Sequence, residues 1–252
     1  MAETSVPQIF SRRAAAAKFA RARARQSTND ASPYLTAAIA EDIAERLDFM
    51  RAEPRRALVI GDETNSIPAW LSDHVEVGKV GLLGEFDEEQ PGPVRAFDLI
   101  VHLLGLGQVN DLPGALLHAR NALADGGLFL AAFPGAGSMD TLRSILLEAE
   151  ADRPAARIHP LVDTRAAAAL LQRAGYTRQV VDSYPIRVRF SSLERLIEDL
   201  RDHGLTRSLV SPVPPLTRSA WQRAKDAFDT LREEDGKVTE TFEILVLTGW
   251  KS

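Results

Sequence analysis

Ala57-Leu58-Val59-Ile60-Gly61-Asp62-Glu63-Thr64-Asn65 runs from a short apolar stretch through a glycine into polar residues. Four consecutive apolar residues bounded by turn formers predict a strand buried on both faces, as in a parallel sheet. A parallel strand that ends in glycine and passes into a helix is where many α/β proteins hold a cofactor. Glu63 and Asn65 stand where such a turn ordinarily presents bare backbone. The stretch points to a fold before it points to an activity.

Working outward, residues 34–52 carry Leu35, Ile39, Ile43, Leu47 and Met50 at helical spacing, and Pro54 ends that helix. The strand at 57–61 leads into a short helix with Pro68 in its first turn and Trp70 and Leu71 facing inward. A second strand is predicted at 75–80, then a polar, turn-rich connection over 84–95. Phe97 to Leu104 reads as a buried strand followed by the Gly-rich Leu104-Gly105-Leu106-Gly107. Asp111 is suited to cap a helix running to Ala124, and Asp125-Gly126-Gly127 to stop it before a strand from Leu128 to Phe133. Helices follow at 138–151 and 164–174, a strand at 180–190, helices near 192–203 and 217–233, and a last strand at 240–248. This alternation predicts a doubly wound parallel sheet whose two late strands form an antiparallel edge pair around a helical insertion.

The chain has 252 residues, no cysteine and a net charge of −5. That length can bury a full core, and the lack of cysteine removes disulfides, thiolate metal sites and cysteine nucleophiles. No global positive field favours nucleic acid, and no apolar run approaches the roughly 20 residues of a membrane span. A cytoplasmic, bacterial-type protein is the default expectation. Residues between Glu3 and Asp30 include no acid, while Arg12, Arg13, Lys18, Arg21, Arg23 and Arg25 cluster in an Ala-rich helical stretch. Such a helix suits an organelle transit peptide, a surface for anionic partners, or a solvated helix that packs Ile9, Phe10 and Phe19 on the body.

Several stretches carry a family resemblance. They are Ile9-Phe10-Ser11-Arg12-Arg13, Phe97-Asp98-Leu99-Ile100-Val101, Val109-Asn110-Asp111-Leu112-Pro113-Gly114-Ala115-Leu116 and Leu123-Ala124-Asp125-Gly126-Gly127-Leu128-Phe129. Leu171-Gln172-Arg173-Ala174-Gly175-Tyr176, Thr241-Phe242-Glu243-Ile244 and Thr248-Gly249-Trp250 complete the set. With them the chain resembles class I S-adenosylmethionine-dependent methyltransferases. The branch is the one holding the biotin-pathway malonyl-carrier methyltransferase and the arginine-hydroxylating complex I assembly factor. The resemblance implies a doubly wound, seven-stranded, methyltransferase-like (Rossmann-like) α/β sheet. It also implies a basic helical segment over 1–52 packing on a domain at 53–252, with a helical cap at about 191–236.

The resemblance further implies S-adenosylmethionine as cofactor, no metal, and a cofactor site at Gly61, Asp62, Glu63, Asn65, Asp87, Glu88 and Leu104, with no catalytic residue assigned. In the family the first motif is an acid, an apolar residue and Gly-x-Gly-x-Gly; here the acid is Val59, the first glycine Gly61, and the other two Glu63 and Asn65. Val59 removes an anion that would support the ligand's amino group. Glu63 sets one beside a ligand carboxylate, where like charges repel. The acid that ends the second strand in the family is missing from Lys79-Val80-Gly81-Leu82, the next being Glu85. Asp87-Glu88 matches the acidic stretch beside adenine, and equally suits an exposed acidic loop. Two functions therefore stand open: a cofactor-dependent methyltransferase acting on an unknown substrate, or a non-catalytic descendant that binds a protein partner through its cap and N-terminal helix, as in respiratory-complex assembly. His102 reads as a core histidine, Asn110-Asp111 as a helix cap and Asp163 as another. His74, His118, His159 and His203 lack metal spacing.

Overall fold

The structure, a computed structural model, describes residues 6–28, 31–71, 74–82 and 87–252. Glu85 and the start of the 84–95 connection lie outside the described residues. Two helices, α1 (Arg12–Ser27) and α2 (Tyr34–Phe49), precede β1 (Arg56–Ile60), α3 (Ser66–Trp70), β2 (Glu76–Val80) and β3 (Phe97–Leu103). A 3-10 turn (Gly105–Gln108), α4 (Leu112–Ala122), β4 (Leu123–Pro134), α5 (Asp140–Ala149) and α6 (Thr164–Arg173) follow. The chain closes with β5 (Thr177–Phe190), α7 (Leu193–Asp202), α8 (Arg218–Thr230) and β6 (Val238–Trp250).

The sheet order is β2-β1-β3-β4-β6-β5. The four strands from β1 to β4 are parallel, and β6 pairs antiparallel with both β4 and β5. The late strands thus form the expected antiparallel edge pair, with α7 and α8 inserted between them. The expected seventh strand is not found: the described residues build six. Between β2 and β3 the described part of the connection holds Pro91 and Pro93, which cannot donate to a ladder, and it stays in turns.

Strand β4 begins at Leu123, earlier than Asp125-Gly126-Gly127 suggests. The register moves from Phe97↔Leu123 to Leu99↔Leu128, so those residues bulge out of the ladder instead of ending a helix. Gly126, at φ +79°, and Gly127 pair instead with the backbone of Lys251. The core lies on both faces of β1, β3 and β4, where Val59, Val101, Leu130 and Phe133 are fully enclosed. Asp111 and Asp163 cap α4 and α6 through the amides of Gly114 and Ala166. No helix among the described residues is long and apolar enough to cross a membrane.

Helix α1 lies against the residues that follow β1, β2 and β3, Gly61, Gly81–Leu82 and Leu104. Its inward face is Ala15, Lys18, Phe19 and Ala22, spaced at i, i+3, i+4 and i+7. Phe10 and Phe19 are buried, whereas Ile9, expected to pack beside them, is exposed.

Candidate cofactor crevice

In doubly wound sheets a ligand binds outside the carboxyl ends of the strands. Here that place is the turn after β1, flanked by Leu82 beyond β2 and Leu104 beyond β3. Gly61 sits at φ +82°, and a Cβ there would meet the Leu103 carbonyl oxygen at 2.5 Å. Only glycine serves that position without displacing backbone. Asp62, almost wholly buried, accepts from the Thr64 amide, the Thr64 hydroxyl and, at 2.8 Å, the Ile67 amide. Its carboxylate thereby holds the entry into α3.

The remaining expected ligand contacts are engaged by the chain itself. Glu63 receives Arg23 of α1 at 3.4 Å. Asn65, at φ +60°, accepts from Lys79 at the end of β2, 3.2 Å away. Asp87 is ion-paired with Arg12. Glu88 lies 3.2 Å from His102 Nε2, and both side chains are buried. The exposed-loop reading of Glu88 is therefore corrected: the carboxylate points into the body because a core histidine meets it. One oxygen of Glu88 and Nδ1 of His102 have no partner among the described residues. Leu104 takes φ +66°, an unfavourable conformation for a branched side chain, and its amide donates to the Ala132 carbonyl at 2.7 Å.

Asn110 does more than flank a cap. Its Oδ1 accepts the amides of Ile9 and Phe10 at 2.8 Å each, clipping the segment before α1 onto the loop after β3. Phe10 also forms a β-bridge with Leu209, and Ser11 donates to the Ser208 carbonyl. Lys18 donates to the Thr206 carbonyl and stands 3.4 Å from the Ser208 hydroxyl, which donates to Gln108 at 2.9 Å. No carboxylate among the described residues pairs with this buried ammonium, and burial lowers its pKa to about 7. Nearby His159 is held down at about 4 by burial and then by the charge of Lys18.

The space left between α1 and the turn is about 20 Å³, enclosed by Phe19, Ala22, Arg23, Gly61, Leu82 and Leu104 among others. That admits a single water, whereas small-molecule sites run to roughly 300–1,000 Å³. Arg23 lies so close to the end of β2 that a Cβ on Gly81 would be 2.6 Å from its Nη1. Val59 is fully buried and supplies no anion. In this arrangement the residues present do not fit S-adenosylmethionine. Of the expected site residues, Gly61, Glu63 and Leu104 line one small space with α1, Asp87 meets the start of α1 at Arg12, and Glu88 is turned to His102. Sequence reasoning missed Arg23, Arg12 and Asn110 as members of the site; the acid-free run before Asp30 was the signal that α1 seeks acids elsewhere. Larger cavities of about 310 and 500 Å³ lie around Met50 and Trp250, at the opposite ends of the parallel strands.

Comparison with known proteins gives a family match described as "Methyltransferase domain" over residues 20–181. The arginine-hydroxylase NDUFAF5, mitochondrial, of Homo sapiens is 32% identical over 184 residues, covering 71% of this chain and 53% of that protein. The chain thus spans about half the length of this relative. Malonyl-[acyl-carrier protein] O-methyltransferase 1 of Coxiella burnetii is 27% identical over 225 residues, covering 82% of this chain and 78% of that protein. The crystal structure of the YcgJ protein from Bacillus subtilis superposes with a TM-score of 0.49 at 12% identity, over 83% of this chain and 98% of that one.

Proposed function

This chain belongs to the methyltransferase-domain family, and from that premise we propose that it is a non-catalytic member, a partner-binding protein of the assembly-factor kind. The observation that carries the reading is the crevice. Glu63, Asn65, Asp87 and Glu88 are each engaged by Arg23, Lys79, Arg12 and His102 of the same chain, and about 20 Å³ remains free. Of these only Glu88 and His102 are buried, and a buried charge stripped of its partner costs several kcal/mol; the others are partly exposed contacts that occupy the approach to the turn. The relative's name, arginine-hydroxylase, describes a protein of which the match covers 53%. We carry over no hydroxylation chemistry and no methyl transfer from the relatives.

A second reading, a working S-adenosylmethionine-dependent methyltransferase, is favoured by one feature. Gly61 retains the positive φ and the close backbone approach to Leu103 that a cofactor turn requires. Calorimetric titration of the full chain with S-adenosylmethionine and S-adenosylhomocysteine separates the two. The non-catalytic reading expects no heat up to about 1 mM ligand, that is, binding weaker than about −4 kcal/mol. Micromolar binding that Gly61→Val abolishes would support the enzyme reading instead. Binding gained by the combined Val59→Asp/Glu63→Gly/Asn65→Gly variant would locate the loss in the turn itself.

A further inference from the structure

We infer that the crevice has become a receptor groove for a basic helix, filled in the resting protein by α1, and that a partner helix of the same chemistry displaces α1 from it. The inference rests on the partner-binding reading above and supplies the site and the chemistry of the partner.

The groove has an apolar floor and an acidic rim. Leu82, Leu104 and Phe19 of α1 line the same small space, and the Phe19 ring packs against Gly204 just past α7. Around them stand Glu63 after β1, Asp87 before β3 and Asp202 at the end of α7. They come from three separate parts of the chain, and each meets one arginine of α1: Glu63 with Arg23, Asp87 with Arg12, Asp202 with Arg25. The pattern is that of helix-in-groove recognition, with an aromatic anchor between charged contacts. The occupant is defined by complementarity: a helix with one aromatic residue facing in, an arginine about two turns before it and arginines one and nearly two turns after it.

The sequence of the turn is explained in the same terms. Glu63 is hostile to a carboxylate-bearing ligand, but it suits a guanidinium. The absence of an acid at the end of β2 leaves Gly81 bare, and Arg23 lies directly over it. The ion pairs are also open enough to exchange. Arg12, Arg23 and Arg25 are 34%, 46% and 44% exposed, so each can be lost and remade without a large desolvation barrier. Tethered to the groove, α1 acts at an effective concentration in the millimolar range. A free helix of equal affinity therefore competes poorly unless α1 is weakened.

That asymmetry gives the test. A fluorescent synthetic peptide of residues 6–28 is titrated against the full unmodified chain and against Arg12→Glu/Arg23→Glu/Arg25→Glu, whose own α1 is repelled by the rim. The expected result is micromolar capture by the variant, at least about 100-fold weaker binding to the unmodified chain, and no capture of a peptide carrying the same three reversals. A variant with native far-ultraviolet dichroism that takes no peptide overturns the inference, as does equal binding to both proteins. Should the variant fail to fold, hydrogen exchange of the unmodified chain at low and about 1 M salt decides. The amides of α1 and of residues 61–65 must then lose protection together, and release of α1 with an unchanged turn overturns the inference. Peptide capture combined with S-adenosylhomocysteine binding by the same variant would keep the groove and sink the non-catalytic reading, so the two failures are distinguishable.

Discussion

Gly61 and Gly126 share almost the same positive φ, +82° and +79°, yet the space around them differs. A side chain at Gly61 meets the Leu103 carbonyl and Leu82, whereas nothing lies within 4 Å of a Cβ at Gly126. Gly61→Val should therefore cost about 3–5 kcal/mol, backbone strain plus overpacking, and Gly126→Ala only about 1 kcal/mol. Urea midpoints of the two variants measure the difference, and equal losses would refute the close approach. Lys18 makes a second residue-scale prediction. Its ammonium releases a proton near pH 7 when folded and near 10.5 when unfolded. Between those values the unfolded chain binds more protons, so stability rises with pH; below 7 the penalty is present in full. Lys18→Met should gain roughly 1–2 kcal/mol at pH 6 and lose that advantage by pH 9, read from urea unfolding at both values. A pH-independent difference would sink the buried, uncompensated amine.

At the scale of elements, α1 is held by its buried face of Ala15, Lys18, Phe19 and Ala22, by the Asn110 clip at its start and by a set of partly exposed ion pairs. Exposed pairs contribute about 0.2–1 kcal/mol each, and truncating a buried Phe costs about 3–5 kcal/mol. Phe19→Ala should accordingly lower thermal stability several times more than Arg23→Ala, and the reverse order in a melting series would show that charge seats the helix. The same helix shows what could be read beforehand. Its existence and basic character follow from Ala-rich, acid-free sequence, but its inward face is Ala15, Lys18, Phe19 and Ala22. Three of those four residues carry no strong apolar signal, so periodicity does not say which side docks. The acids that receive it lie 40 to 177 residues away, and no local rule pairs them. The caps at Asp111 and Asp163 were legible because a cap is a contact between neighbours three residues apart. The bulge in β4 was not, because Asp-Gly-Gly spells a stop equally well and only the register against β3 decides.

For the molecule as a whole, the alternation of strands and helices sufficed to place a doubly wound sheet. The order β2-β1-β3-β4-β6-β5 puts the Gly61 turn after the second strand from one edge, beside the point where the order reverses between β1 and β3. The seventh strand that the resemblance implied is not among the six built by the described residues, and the described part of the connection before β3 is polar and holds Pro91 and Pro93. The candidate site was half legible: the turn and its departures could be listed from sequence, whereas their internal partners required the three-dimensional chain. Family membership and the state of the crevice belong to different levels, since a fold can persist while the site grafted on it changes.

Lys18 contacts the Thr206 carbonyl, 188 residues further along the chain. During synthesis α1 therefore emerges long before the segment that pins it. At ribosomal speeds of about 5–20 residues per second, that interval is on the order of 10–40 s. Through it the newborn chain carries an unpinned, strongly basic helix ahead of an unfinished sheet. The contact that pins it cannot form until residues 202–210 have left the ribosome.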